Sequence, residues 1–163
     1  MSYFIIIRGP LGCGKSTLAK KLAATLKAKL IQIDKILDDN NLTGDKEDGY
    51  ISQRSFEKAN SIIAPTAKEL LERQTPIIFD GNFYWKSQID DLLRQLPYPH
   101  LIFTLKAPLQ VCIDRDAKRK TPHGKDATSA VYAKSTQFEC GINIDATKNI
   151  STQLNEIISH LRI

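Results

Sequence analysis

Hydrophobic and polar positions alternate in blocks along this chain, and each block has a recognisable period. Tyr3-Phe4-Ile5-Ile6-Ile7 is an unbroken apolar run, which predicts a short strand buried on both faces. Glycines follow at 9, 12 and 14, and then Leu18, Leu22 and Leu26 recur every four residues with lysines opposite, the mark of an amphipathic helix. Leu30-Ile31-Gln32-Ile33 predicts a second strand running up to Asp34, and residues 38–50, rich in Asn, Asp and Gly, predict a loop or a small segment covering a substrate. Residues 51–74 read as a helix interrupted or kinked at Pro65. Pro76-Ile77-Ile78-Phe79-Asp80 is a third strand. A helix over 86–96 follows and is ended by Pro97 and Pro99. Leu101–Leu105 is a fourth strand. Pro108 opens a helix that runs into a basic segment broken at Pro122 and Gly124. A helix over 127–139, a fifth strand at Ile142–Asp145 and a last helix presenting Leu154, Ile157, Ile158 and Leu161 complete the chain.

Strands and helices thus alternate throughout, which implies one α/β domain over 1–163: a parallel sheet with helices on both faces and ligands bound at the carboxyl ends of the strands. The length of 163 residues fits a single domain. With 42% apolar and 25% charged residues, intrinsic disorder and collagen-like repeats are excluded. No apolar run approaches the ~20 residues of a membrane span, and residues 1–8 do not form a signal peptide. Cys13, Cys112 and Cys140 are odd in number and show no C-x-x-C spacing, so neither a disulfide framework nor a zinc site is expected; a reducing cytoplasm is the expected location. The net charge of +5 is polarised. Segment 115–125 carries five basic residues against Asp116, whereas segment 34–48 carries six acids against Lys35 and Lys46. A basic cluster confined to one short segment fits a local phosphate site better than a nucleic-acid-coating face.

Gly9-Pro10-Leu11-Gly12-Cys13-Gly14-Lys15-Ser16 matches G-x-x-x-x-G-K-[ST] at each fixed position, between a strand and a helix. The glycines let successive backbone N–H groups converge on an anion, and the helix N-terminus adds positive potential. Lys15 is expected to reach the terminal phosphates of ATP, and Ser16 to ligate Mg²⁺; Gly9, Gly12, Cys13, Gly14 and Thr17 complete the expected nucleotide site. The helix N-terminus is expected to favour the Cys13 thiolate.

Asp80, an acid ending a hydrophobic strand, is the expected second holder of Mg²⁺. Asp34 ends the second strand. It is the candidate general base for an acceptor hydroxyl, or otherwise an N-cap for a short helix over 35–39. Arg115 and Arg119, four residues apart, share one helix face if that helix continues; they predict a lid over about 115–128 that neutralises the migrating phosphoryl group and excludes water. Asn82 and Arg54 are candidate acceptor contacts, and Phe83-Tyr84-Trp85 could stack on a substrate ring or simply pack. His100, His123 and His160 show no ligand spacing and receive no role.

With Gly9–Ser16, Ile77–Gly81 and the run Cys112-Ile-Asp-Arg-Asp-Ala-Lys-Arg119, the chain resembles the small P-loop kinases of the nucleoside-monophosphate-kinase type, especially the branch of polynucleotide kinase, chloramphenicol phosphotransferase and shikimate kinase. The resemblance implies a three-layer α/β/α P-loop NTPase fold, a five-stranded parallel sheet of order 2-3-1-4-5 and a basic lid. It also implies ATP and Mg²⁺ as cofactors, with Lys15, Asp34, Arg115 and Arg119 acting in transfer, Arg115 also touching nucleotide, and Ser16 and Asp80 on the metal side. Asn82-Phe83-Tyr84-Trp85 replaces the arginine of adenylate kinase, and the Gly-Gly-Gly shikimate site is missing, so neither of those substrates is implied. The expected activity is transfer of the γ-phosphate of Mg-ATP to a hydroxyl. The acceptor is a nucleic-acid or nucleoside 5′-hydroxyl, suggested by the lid and aromatics, or a small metabolite, suggested by the acidic segment. The alternative is a P-loop switch or regulator without an acceptor. Against it, no Asn-Lys-x-Asp base-recognition motif is present, and a motor of the AAA type would need a further helical domain.

Overall fold

The computed structural model describes residues 2–161; Met1, Arg162 and Ile163, the ends of the expected 1–163 domain, lie outside the described residues. Five strands form one parallel sheet: β1 (Phe4–Arg8), β2 (Lys29–Gln32), β5 (Ile77–Asp80), β6 (His100–Lys106) and β7 (Ile142–Asp145). Their order is β2-β5-β1-β6-β7, which is 2-3-1-4-5 when only these strands are numbered. β1 lies at the centre, with Ile6 opposite Phe79 on one side and Ile102 on the other.

Alternate strand residues feed opposite faces, so the sheet has two cores. Phe4, Ile6, Ile77 and Phe79 pack with Phe56, Ala59 and Leu71 of α3 (Gln53–Glu72) and with Ile89 and Leu92 of α4 (Lys86–Gln95). Ile5, Ile7, Ile78, Phe103 and Leu105 pack with Leu18 and Leu22 of α1 (Lys15–Leu26) and Ile157 of α7 (Ile150–His160). Each fully buried side chain of this kind contributes about 1.5–3 kcal/mol. The unbroken apolar run in β1 is therefore what a central strand covered on both sides requires.

Several sequence expectations shift. Ile33 is not strand: β2 stops at Gln32, and α2 (Ile33–Asp39) begins there with Gln32 as its N-cap, so Asp34 lies in the first helical turn and caps nothing. The supposed loop over 38–50 contains a hairpin, β3 (Lys46–Glu47) and β4 (Tyr50–Ile51). Asp48 and Gly49 both have positive φ (53° and 83°), the turn that matches strand twist. α3 runs unbroken through Pro65, anchored at its start by the Ser52 hydroxyl, which accepts from the Ser55 N–H. The helix before the basic segment, α5 (Leu109–Ala117), ends before Arg119, and α6 (Lys125–Ser135) is shorter at its end than the expected 127–139.

Candidate active site

The loop after β1 turns over the carboxyl edge of the sheet and enters α1. Gly12 has φ +76°, and a Cβ there would sit 2.2 Å from the Cys112 carbonyl oxygen, so the loop packs against α5 only because this position is glycine. Lys15 is nearly buried, and its ammonium donates to Pro10 O at 2.8 Å, across the loop. The Ser16 hydroxyl donates to Asp80 Oδ2 at 2.9 Å. The loop and the third strand of the sequence reading, 64 residues apart, therefore meet in one hydrogen bond.

Three hollows adjoin along this edge. One, of about 320 Å³, is lined by Gly12, Gly14, Lys15, Ser16 and Thr17 from the loop and by Arg115 and Arg119. Although α5 stops short of Arg119, both arginines face this hollow, and Arg115 Nη1 reaches Cys13 O at 3.4 Å. A second, of about 370 Å³, is walled by Ser16, Asp80, Asp34, Asp38 and Asp39 together with Gln32 and Lys35. The third is the largest, about 650 Å³, lying between α2, the β3–β4 hairpin and α6. Asp34, Asp38, Lys46, Asp48, Asn82 and His123 supply its polar groups, and Leu11, Leu37, Tyr84, Ala130 and Val131 its apolar wall. Ser16 belongs to the first two hollows and Asp34 to the last two, so Asp34 stands between the phosphate loop and the large cleft.

Crowding by protein atoms pushes the Asp34 carboxyl above its ordinary range. Lys15 opposes the rise, and Asp80 and Asp38 add to it. Asp34 as a whole residue is nevertheless exposed.

Asn82, a candidate acceptor contact, lines the large cleft. Arg54 does not: its guanidinium grips Asp45 through two hydrogen bonds of 3.2 and 2.9 Å and borders a separate surface hollow beside Leu42 and Lys58. Gly9 and the Cys13 side chain also lie outside the hollow lining. Cys13 is buried in the core, and burial raises its thiol despite the nearby Lys15, which reverses the expected thiolate. Phe83, Tyr84 and Trp85 are all packed. The Tyr84 hydroxyl accepts from Ile51 N (3.1 Å), and Trp85 Nε1 donates to Ile51 O (2.7 Å), so two of these aromatics seat the hairpin, while Tyr84 also faces the cleft. Lys134 caps the Trp85 ring at 3.5 Å.

Two features escaped the sequence reading. His123 lines the large cleft although it has no ligand spacing; its position between Pro122 and Gly124, at the break in the basic segment, was the available signal. Arg8, the last residue of β1, is fully buried and donates to Phe83 O (3.3 Å), Thr104 Oγ1 (3.0 Å) and Ser135 O (2.9 Å).

Oxygen donors at Ser16 and Asp80, side by side at the edge of the phosphate-loop hollow, fit a Mg²⁺ ion that keeps most of its ligands from water and phosphate. Among the described residues, no cluster of three or more His, Cys, Asp or Glu offers a dedicated metal cage. No described helix is long and apolar enough to cross a membrane.

The fold is shared with solved structures. A sugar kinase from Janibacter sp. HTCC2649 superposes with a TM-score of 0.80 at 17% identity, covering 100% of this chain and 96% of that one. A gluconokinase from Sinorhizobium meliloti 1021 superposes at 0.74 and 15% identity, covering 95% and 89%. The Mycobacterium tuberculosis APS kinase, solved with AMPPNP and APS, superposes at 0.74 and 14% identity, covering 99% and 98%. These likenesses show a shared fold, that of small P-loop kinases. No curated protein matches the sequence. Residues 4–139 match the family described as AAA domain, and with the phosphate loop, the strand-end Asp80 and four of the five strands of the parallel sheet inside that span, the chain belongs to this P-loop family.

Proposed function

We propose that the protein transfers the γ-phosphoryl group of ATP to a hydroxyl of a small, uncharged or cationic acceptor bound in the large cleft. The observation that carries this reading is the position of Asp34, shared between the hollow of Ser16 and Asp80 and the cleft. A switch has no use for a basic carboxylate facing a second, partly apolar cavity.

In this reading the loop N–H groups and Lys15 hold the phosphates of ATP. Asp34 accepts the proton of the acceptor hydroxyl as its oxygen attacks the γ-phosphorus; the bond to the β-phosphate oxygen breaks and ADP departs. A raised carboxyl is the stronger base for this step. Arg115 and Arg119 offset charge on the migrating group and screen it from water. Ser16 and Asp80 would hold Mg²⁺, which supplies charge neutralisation at the phosphates when bound.

The cleft's charge supports the acceptor class. Three acids, Asp34, Asp38 and Asp48, face one lysine, Lys46, and among the described residues no arginine lines it. Such a lining repels a polynucleotide and any strongly anionic substrate, while its apolar wall and Tyr84 suit a small organic body. The test is transfer of label from γ-labelled Mg-ATP to separate pools of amino alcohols, neutral sugars and polyols, sugar acids, nucleosides and 5′-hydroxyl oligonucleotides. Label in a neutral or cationic pool is expected. Label confined to an anionic pool overturns the acceptor class, and tight ATP binding with label in none overturns the kinase reading in favour of a regulator.

A further inference from the structure

The turn between α5 and α6 is tied by one buried carboxylate. Asp116, in the last turn of α5, has a side chain only 2% exposed. Its Oδ1 accepts from the His123 backbone N–H (3.1 Å) and lies 2.9 Å from His123 Nδ1, and its Oδ2 accepts from the Gly124 N–H (2.9 Å). Two of these bonds come from the backbone of the turn itself. The imidazole adds a third bond on the side of the large cleft, where its own surface is 39% exposed.

Orientation of the ring follows from these partners. With Nδ1–H directed at an ionised carboxylate, the neutral imidazole keeps Nε2 as a free acceptor. That nitrogen belongs to a ring lining the same cavity as Asp34, Asn82 and Tyr84. Arg115, the neighbour of Asp116, reaches instead toward the phosphate loop. One joint therefore sends a guanidinium to the nucleotide side and an imidazole to the cleft side.

We infer that His123, held by Asp116, hydrogen-bonds the phosphate acceptor through a second hydroxyl or an amino group of that molecule. His123 is then a specificity-determining residue and Asp116 a positioning residue. The same short segment couples acceptor recognition to placement of Arg115. This inference rests on the kinase reading above.

The test compares H123N, H123Q and D116N using the acceptor pool that the wild type labels. Asn at 123 keeps an amide donor near the Nδ1 position for Asp116 but offers nothing at the Nε2 position; Gln carries its amide further, toward that position. H123N is expected to raise KM for the acceptor about tenfold, as for one lost hydrogen bond, while KM for Mg-ATP stays within about twofold. H123Q is expected to recover part of the loss. D116N is expected to lower kcat as well as raise the acceptor KM, because both arms leave their positions. An acceptor KM in H123N within about twofold of wild type, with transfer intact, overturns the inference and leaves the kinase reading standing. A wild type that labels no pool overturns both. A melting curve checks that H123N is folded; if it is not, the same comparison made with H123A decides by the same criterion.

Discussion

Arg8 offers a direct check on how this site is held together. Its guanidinium is fully buried, and its three hydrogen bonds link the end of the central strand to β6, to the loop after β5 and to the end of α6. Ser135 O is a terminal helix carbonyl, at the negative end of the α6 dipole, so a cation there is favourable. Phe83, the residue of the second bond, has φ +46°, a conformation costly for a side chain of this size. The Phe138 ring also stacks on the guanidinium at 4.5 Å. Burial lowers the Arg8 pKa, with the fields of Cys140, Glu139 and Cys13 opposing.

Arg8→Met keeps most of the aliphatic volume but leaves Phe83 O and Ser135 O without this donor, at about 1–3 kcal/mol each. Thr104 Oγ1 keeps a partner, since it donates to Cys140 O at 2.5 Å. Relief from burying a cation offsets part of the loss, so the expected net cost is about 3 kcal/mol. For a chain of this length each kcal/mol shifts the melting temperature by about 2–4 °C, giving a drop of about 6–12 °C. Thermal unfolding followed by circular dichroism, with calorimetry to check two-state behaviour, measures it. Mg-ATP should still raise the melting temperature of the variant, because Arg8 does not line the phosphate-loop hollow. A variant that melts within about 2 °C of wild type, or above it, would refute the argument that the buried guanidinium holds these elements together.

Lys15→Ala should abolish the rise in melting temperature that Mg-ATP produces; an undiminished rise would remove Lys15 from the nucleotide site. Asp34→Asn should retain that rise but lose about 10²–10⁴-fold in kcat for transfer, and near-normal turnover would demote Asp34 from general base. Because crowding raises the Asp34 carboxyl above 3.8 and the base must be ionised, kcat/KM should fall as pH drops through that raised value; an acid limb lying below 3.8 contradicts the assignment. Asp116 behaves oppositely. Burial works against its charge, yet the hydrogen bonds from His123 and Gly124 outweigh burial and hold its pKa at about 2, below the ordinary 3.8. The folded state therefore favours the ionised form. Its stabilisation is fully present above 3.8 and is lost as pH falls toward 2, so the stability gap between wild type and D116N should narrow over that window in pH-dependent denaturation.

The local pattern determined what depends on neighbours in the chain. The apolar run at 3–7, the glycines and Lys15-Ser16 before the leucine-spaced helix, and the strand ending in Asp80 each carry their own signal, because burial on two faces and anion binding at a helix start impose residue types at fixed spacing. The alternation of strands and helices likewise implied a parallel sheet, since a helix between two strands is the usual crossover that returns the chain in the same direction. Within the turn-rich stretch 38–50 the hairpin around Asp48-Gly49 was not legible, as its two strands of two residues each are too short to show a period.

Tertiary structure alone decided which of the candidate groups meet. Ser16 and Asp80 are joined by the register of β1 on β5, which no local spacing encodes. Arg54 was a reasonable acceptor contact until the fold set Asp45 beside it, and packing against the sheet, which the local sequence does not encode, overrides the pull of the helix N-terminus on the Cys13 thiol. Arg8, Asp116 and His123 gain their roles from partners between 7 and 127 residues away. A hydrogen bond depends on distances of about 3 Å, and for side chains remote in sequence only the packed sheet and its helices set those distances.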